Sequence, residues 1–449
     1  MSSPISRSRL LGFGLGSVGT GVFGAVPGLL LLYYLTDVLG TPTALAGVVL
    51  VVPKAWDVLF NPVVGAASDR EAVRTGHRTR LLLVGALALP VLFALMFMAP
   101  WDSTAGAAWV AVTFLLAATA FACFQVPYVA LPAEISPDPA QRTRAMTWRI
   151  VCLTVGILVA GGLAPAIVEL GGQGRGGYAL MGGLIGLVLG ASMLVAARRT
   201  RWIPSRPGPE PLSLGRALRT ARGNRPFFAL LGAFVAQSLA VAVMLAGAPY
   251  VATYRLDDYG LTSLMFVCMV APSAFAVPLW AVAARRWGMV RCYLVAVVTF
   301  AVTAIALYPA ITRGAVVPVL VLTGLIGICY AAVQLVPLSL LPETVRADEA
   351  RTGHAQSGAF TGVWTAAETA GMAVGPGVFA LVLTVTSFTA APYAATSFTR
   401  KATQPESALT GLTAGFTLIP AALMLLSVPM MLAYRRRAAS PTKESQHAA

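Results

Sequence analysis

Residues 43–78 read TALAGVVLVVPKAWDVLFNPVVGAASDREAVRTGHR, and their reading decides the fold. From 43 to 66 the only charged or amide side chains are Lys54, Asp57 and Asn61, after which charge returns abruptly at Asp69, Arg70, Glu71 and Arg74. An apolar run of about twenty residues spans the hydrocarbon core of a bilayer as a helix. A strand of an outer-membrane barrel would instead alternate apolar and polar residues over about ten positions, which this stretch does not.

Working outward, the same pattern recurs eleven times. The apolar runs predict spans near 10–36, 43–66, 80–100, 107–132, 145–170, 178–197, 226–254, 261–284, 290–312, 315–341, 356–388 and 408–434. Composition agrees: of 449 residues, 57% are hydrophobic and 11% charged, where soluble chains carry about 25% charge. With mean hydropathy +0.77, disorder, a secreted disulfide scaffold and a soluble metalloenzyme are excluded. The expectation is an all-α membrane protein of twelve transmembrane helices in two six-helix halves.

The net charge of +15 does not point to nucleic acid once its position is read. With the N-terminus inside, the cytoplasmic side holds 25 Lys and Arg and the opposite side only Arg175, Arg255, Arg313, Arg400 and Lys401. This asymmetry predicts a multi-pass protein of the cell membrane with both termini cytoplasmic. The Arg-rich stretches also meet anionic lipid. The five cysteines fall inside spans without a CxxC pair and read as apolar packing; His77, His354 and His447 lie outside spans with no second ligand. No metal site or cofactor is expected.

The polar stretch after the sixth span contains Pro204, Pro207, Pro209 and Pro211 and separates six spans from six. The predicted organisation is 1–197 for the N-terminal half, 198–225 for a basic cytoplasmic linker, 226–434 for the C-terminal half and 435–449 for a cytoplasmic tail. Val126-Pro127, Leu131-Pro132 and Asp138 recur as Val336-Pro337, Leu341-Pro342 and Asp348 at an offset of 210 residues. Pseudo-symmetric halves of this kind are common among secondary transporters, with solute bound between them. Gly14-x-Gly16-x-x-Gly19 spells a dinucleotide fingerprint but follows no strand. These glycines, with Gly182, Gly186 and Gly190, are expected to let helices approach closely.

Charge inside a span is costly and therefore marks function. Lys54 and Asp57 in span 2, Arg149 near the start of span 5 and Glu368 in span 11 are the candidates. At 1.5 Å per residue, Asp57 and Glu368 lie about 14 and 17 Å from the cytoplasmic ends of their spans, a shared depth. Lys54, Asp57 and Asn61 fall on one helical face, and Trp364 lies one turn from Glu368. An enzyme would need a nucleophile with a base, and no Ser or Cys has a His partner within a span.

Gly65-Ala66-Ala67-Ser68-Asp69-Arg70 followed by Gly76-His77-Arg78 fits the G-x-x-x-D-R…G-x-R signature of the major facilitator superfamily. There Gly permits close helix contact, and Asp and Arg form a breakable cytoplasmic latch. Tyr33-Tyr34-Leu35-Thr36-Asp37, Trp56-Asp57…Asn61-Pro62, Val126-Pro127-Tyr128 and Arg142-Thr143-Arg144…Arg149 extend the likeness. Over essentially all twelve spans the chain resembles the glycoside-pentoside-hexuronide:cation symporters, the melibiose-permease branch of that superfamily. The resemblance implies the major facilitator fold, a coupling-cation site at Asp57 and a substrate role for Arg149. Asn61, Gln125 and Glu368 depart from that family's Asp, Asp and Lys at the matching positions.

The expected function is therefore cation-coupled secondary transport of a small organic solute by alternating access, with symport preferred. A proton-driven exporter of a drug or metabolite is the alternative, and a non-transporting receptor or membrane-embedded enzyme a distant one. Coupling is assigned to Asp57, Asn61, Lys54 and Glu368, substrate contact to Arg149, Gln125, Tyr128 and Trp364, and a cytoplasmic gate to Gly65, Asp69, Arg70 and Arg78. The coupling ion is a proton or sodium, with the proton preferred because Asn61 lowers the formal charge. The expected partners are solute and lipid, the expected functional unit a monomer.

Overall fold

The computed structural model describes residues 5–136, 138–204, 219, 222–352, 357–390 and 403–438. Among these residues twelve helices long and apolar enough to cross a membrane follow one another: α1 (Arg7–Leu31), α2 (Thr43–Thr75), α3 (Thr79–Met96), α4 (Ser103–Ile135), α5 (Pro139–Leu170), α6 (Arg175–Arg199), α7 (Arg225–Tyr254), α8 (Leu261–Trp287), α9 (Met289–Thr312), α10 (Val316–Thr352), α11 (Ser357–Val385) and α12 (Glu406–Ala438). No strand occurs among the described residues. Most of the 198–225 linker, His354, His447 and the end of the C-terminal tail lie outside the described residues.

Several helices run beyond their apolar stretches. α2 continues to Thr75 rather than ending at 66, and α10 to Thr352 rather than 341. Hydropathy reads the hydrocarbon thickness, whereas helical hydrogen bonding continues into water while side chains permit. Asp69 and Arg70, which lie beyond the span expected at 43–66, consequently stand with Gly65 on the last turns of α2, which stops at Gly76 in the left-handed region (φ 71°). Glycine is the residue that takes this conformation without a Cβ clash. Near its end α1 changes pitch instead: π-helical turns occupy Pro27–Leu31 and, just beyond α1, Tyr34–Val38. Pro27 has no N–H for the regular i→i−4 bond, which favours a local change of pitch.

The chain forms two compact units. One comprises Met1–Pro211, Leu245–Val267 and Pro376–Leu412; the other Leu212–Met244, Cys268–Gly375 and Thr413–Ala449. In the first unit, α1 packs closely on α5: a Cβ on Gly21 would lie 2.7 Å from the Leu153 carbonyl oxygen, and one on Gly156 would collide with Val18 backbone. On α6, Gly186 and Gly190 sit against Pro90 of α3, and Gly182 against Phe97. Gly14, Gly16 and Gly19 likewise face neighbouring helices. The glycines of the apparent dinucleotide fingerprint thus serve helix contact. In the second unit Gly375 admits Ala242 and Val243 of α7.

Large apolar side chains cover the outside, among them Leu59, Leu170, Leu187, Phe275, Leu279 and Val385. A water-soluble surface rarely presents such a band, and lipid is the solvent that accepts it.

Candidate functional site

Asp57 is buried (7% exposed), and its Oδ1 has no hydrogen-bond partner. Lys54, one turn earlier, places its Nζ 5.8 Å from the centre of the Phe23 ring on α1. Lys54 and Asp57 influence each other electrostatically but form no ion pair. Asn61 is half-buried one further turn along. Pro62 follows it inside the helix and, lacking an N–H, leaves the carbonyl of residue 58 without its helical donor. The middle of α2 therefore combines a carboxylate oxygen in want of a donor or cation, an amide and a freed carbonyl. On the other face of α2, Trp56 donates through Nε1 to Thr119 Oγ1 on α4 at 3.0 Å and stacks on Phe60.

α4 and α5 bring Gln125, Tyr128 and Arg149 together. The Arg149 guanidinium lies 5.6 Å from the centre of the Tyr128 ring, within cation–π range. Gln125, one turn from Tyr128, has a buried Oε1 without a partner. Tyr128 itself is wholly buried: its hydroxyl donates to the Phe13 carbonyl at 2.7 Å and lies 2.9 Å from Ser17 Oγ, and its ring packs against those of Phe13 and Phe124. It fixes α1 to α4 and offers its face to Arg149.

In the second unit, Trp364 is buried against Phe234 (centroids 4.4 Å apart), with Nε1 unpartnered. Glu368 is half-buried on the next turn and acts electrostatically on Tyr330. Tyr330 belongs to a chain that sequence reading missed. Gln334 donates to the Tyr330 hydroxyl at 2.7 Å, Gln237 donates to Gln334 Oε1 at 3.2 Å, and the Tyr293 hydroxyl donates to Gln237 Oε1 at 3.2 Å. Its members come from α10, α7 and α9, so no local spacing announces it. Asp57 and Glu368 belong to different compact units.

At the end of α2 the sequence signature becomes a three-helix clasp. Arg78, 6% exposed, donates to Asp69 Oδ1 at 2.6 Å, Ser68 Oγ at 2.8 Å and Glu134 Oε1 at 3.1 Å, tying α2 to α4. Glu71 completes the joint by accepting from the Arg80 and Leu81 amides at the start of α3. Arg70 is exposed. A Cβ on Gly65 would meet Val126 only at 3.8 Å, ordinary contact, so glycine is not required there in this conformation. Glu134 has no place in the motif and was not anticipated.

A model of the family described as MFS/sugar transport protein matches residues 12–436. The chain belongs to that family. It is a multi-pass membrane transporter, and its family is the one the sequence resemblance implied. It is 25% identical over 445 residues to YagG of Escherichia coli (strain K12), assigned as a glycoside/cation symporter, covering 95% of this chain and 91% of that one. To the glucuronide carrier protein homologue of the same organism it is 24% identical, over 97% of this chain and 93% of the relative. Among solved structures, a bacterial homologue of the human lysosomal transporter Spinster, inward-facing and unoccupied, aligns with TM-score 0.69 at 14% identity, over 98% of this chain and 100% of that one. That likeness establishes the major facilitator fold. The family and its structural neighbours are transporters, not enzymes.

One buried carboxylate of this transporter was read in sequence only as part of a family match. Asp37 lies beyond α1, in the π-helical turn Tyr34–Val38, and is 9% exposed. Its Oδ2 is 2.5 Å from Thr36 Oγ1, and its Oδ1 accepts from the Tyr254 hydroxyl. Thr36 Oγ1 is also 2.6 Å from the Tyr250 hydroxyl. Tyr33 packs on Tyr250 and Tyr259, and the Tyr259 and Tyr178 hydroxyls are 3.0 Å apart. Burial pushes the Asp37 carboxyl up to about 7, against the opposing pull of the Thr36 and Tyr254 hydrogen bonds. Nearby, the hydroxyls of Thr43 on α2 and Thr384 on α11 meet at 2.7 Å.

Proposed function

We propose that this transporter moves a small organic solute together with a cation by alternating access, and that the cation is a proton. The reading is carried by Asp57: a carboxylate oxygen buried in a membrane-spanning helix without a donor is a group whose charge a cation must cancel during the cycle. Asn61 in place of a second carboxylate supports a proton over sodium. Lys54 tunes the charge of Asp57, and Glu368 is the second group that exchanges a proton. Both termini are cytoplasmic, in line with the 25 to 5 distribution of Lys and Arg.

Solute binds between the halves 1–197 and 226–434. Arg149, set on the buried Tyr128 ring, and Gln125, with a free carbonyl oxygen, are its contacts in the N-terminal half, and Trp364 in the C-terminal half. The names of the relatives, a glycoside/cation symporter and a glucuronide carrier, support a hydroxyl-rich solute, and Arg149 suits one that carries an anionic group. Gly65, Asp69, Arg70 and Arg78 form the cytoplasmic gate. The ion and the solute drive transport because each binds the inward- and outward-open states unequally.

The test needs no solute. The melting temperature of the purified protein is measured against sodium at constant ionic strength and against pH, for wild type and Asp57→Asn, since a ligand of the folded state raises it. Indifference to sodium, with a pH dependence altered in the variant, is expected. Saturable stabilisation by sodium that Asp57→Asn abolishes would replace the proton with sodium. Ion-driven accumulation of solute that survives Asp57→Ala would overturn the assignment of Asp57 itself.

A further inference from the structure

Asp37 takes no part in the sites above, and its surroundings carry a proton count. Four contacts converge on Thr36 and Asp37: Thr36 Oγ1 to the Leu32 carbonyl at 3.2 Å, to Asp37 Oδ2 at 2.5 Å and to the Tyr250 hydroxyl at 2.6 Å, and the Tyr254 hydroxyl to Asp37 Oδ1. The Leu32 carbonyl can only accept. With Asp37 ionised, three hydroxyl protons, on Thr36, Tyr250 and Tyr254, must serve four contacts. With Asp37 protonated the count closes: its O–H donates to Thr36 Oγ1, Thr36 donates to Leu32, Tyr250 donates to Thr36 and Tyr254 donates to Asp37 Oδ1.

We propose that Asp37 is a proton-operated latch of the transport cycle, whose protonation allows the end of α1 to lock onto the end of α7. Tyr250 and Tyr254 lie 214 and 217 residues from their partners in sequence, so the cluster ties the first span to the seventh. On the predicted orientation this is the outer end. Parting the two helices breaks both tyrosine contacts and admits water, in which the carboxylate ionises readily. Closure takes a proton from the outer solution, and reopening returns it. Asp37 thereby acts as a positioning residue, setting which state is populated without touching solute.

The titratable groups that sense the Asp37 charge are Tyr178 on α6, Tyr250 and Tyr254 on α7 and Tyr259 in the following connection; Tyr33 packs against two of these. Of the charged side chains at this end, Arg175 pairs with Asp102 and Glu169 faces Asp258, while Arg255 and Asp257 follow Tyr254. Among the described residues no Lys or Arg forms an ion pair with Asp37. Among the described residues, hydroxyl groups alone meet its charge.

The sign follows from linkage. A carboxyl held near 7 when closed and near its ordinary value of about 4 when open favours closure at acidic pH; the preference declines between about pH 4 and 7 and is constant above. The latch refines the proposed transport function but does not depend on Asp57. Spin labels are placed at Trp101→Cys and Val385→Cys, both exposed positions of the same compact unit, in full-length protein whose five native cysteines are replaced. Distance distributions are recorded in lipid nanodiscs from pH 4 to 8.5.

The parent should shift from a short to a longer separation as pH rises, the closed-to-open ratio falling about tenfold or more. Asp37→Asn should stay short throughout. The same titration in an Asp57→Asn background should be unchanged, which separates failure of the latch from failure of the coupling site. Where Asp37→Asn does not fold, Asp37→Glu serves: the response should persist with a moved midpoint. A pH response that survives Asp37→Asn, an unmoved midpoint in Asp37→Glu, or no response in the parent would overturn the proposal.

Discussion

Asp57 and Arg78 are buried to almost the same degree, at 7% and 6% exposure, within two dozen residues of one another, and they could hardly be treated more differently. Arg78 has three partners between 2.6 and 3.1 Å, drawn from two helices. Asp57 has an oxygen with none. A buried charge surrounded by fixed partners holds structure together, while one left open is kept for something that arrives and leaves. On the function proposed above, Arg78 is a joint of this transporter and Asp57 one of its moving parts.

The largest effect should come from the satisfied charge. Arg78→Ala strands Asp69 and Glu134 in a half-buried joint and should cost about 3 kcal/mol or more, read as a collapse in melting temperature and in the monodisperse fraction in detergent. Arg78→Lys restores the charge but not the fork that reaches three acceptors, so it should recover only part of the loss. A melting temperature near wild type for Arg78→Ala would break the contrast at once.

Tyr128→Phe probes a residue that lies between the two classes. Its hydroxyl is committed to Phe13 and Ser17 while its face carries Arg149. Losing the hydroxyl should lower stability by about 1 kcal/mol, whereas the unaltered ring should leave transport near wild type. Lost transport at normal stability would instead place the hydroxyl in contact with solute.

The sign should reverse at Asp57. Asp57→Asn removes a buried charge that Lys54, one turn away, opposes without an ion pair, so its melting temperature should equal or slightly exceed that of wild type at neutral pH, and coupled transport should vanish. Because protonation of Asp57 removes the same charge, the two proteins should converge as pH falls. A variant less stable than wild type at every pH would show that Asp57 is a joint after all.

Why was Asp57 legible in sequence when Glu134 and the Asp37 cluster were not? A carboxylate within an apolar run reports its depth directly, since depth in a bilayer is position along a helix at 1.5 Å per residue. Partners depend on which way each helix faces, and hydropathy does not carry that: Arg78 finds Glu134 across 56 residues, and Thr36 finds Tyr250 across 214. The apolar cores of the spans were therefore recoverable, and the lone charges with them, but not the polar turns by which α2 and α10 outrun those cores. The signature around Asp69, Arg70 and Arg78 marks the stretch where Arg78 meets Asp69 but could not say which arginine is buried, because both follow the same pattern of small and charged residues.

Arg70 is the residue on which that ambiguity turns, and it should show the smallest change in stability. It is exposed on the last turns of α2, and exposed charges contribute little to a folded state. Arg70→Ala should therefore melt with wild type. If Arg70 belongs to the cytoplasmic gate, its contacts form in the alternative conformation, and a side chain that contacts only one of two states shifts the population between them without altering the other. Transport should slow several-fold at an unchanged melting temperature. A lowered melting temperature would put Arg70 beside Arg78 as part of the joint, and full-rate transport would leave Arg78 as the one arginine of the signature that the gate requires.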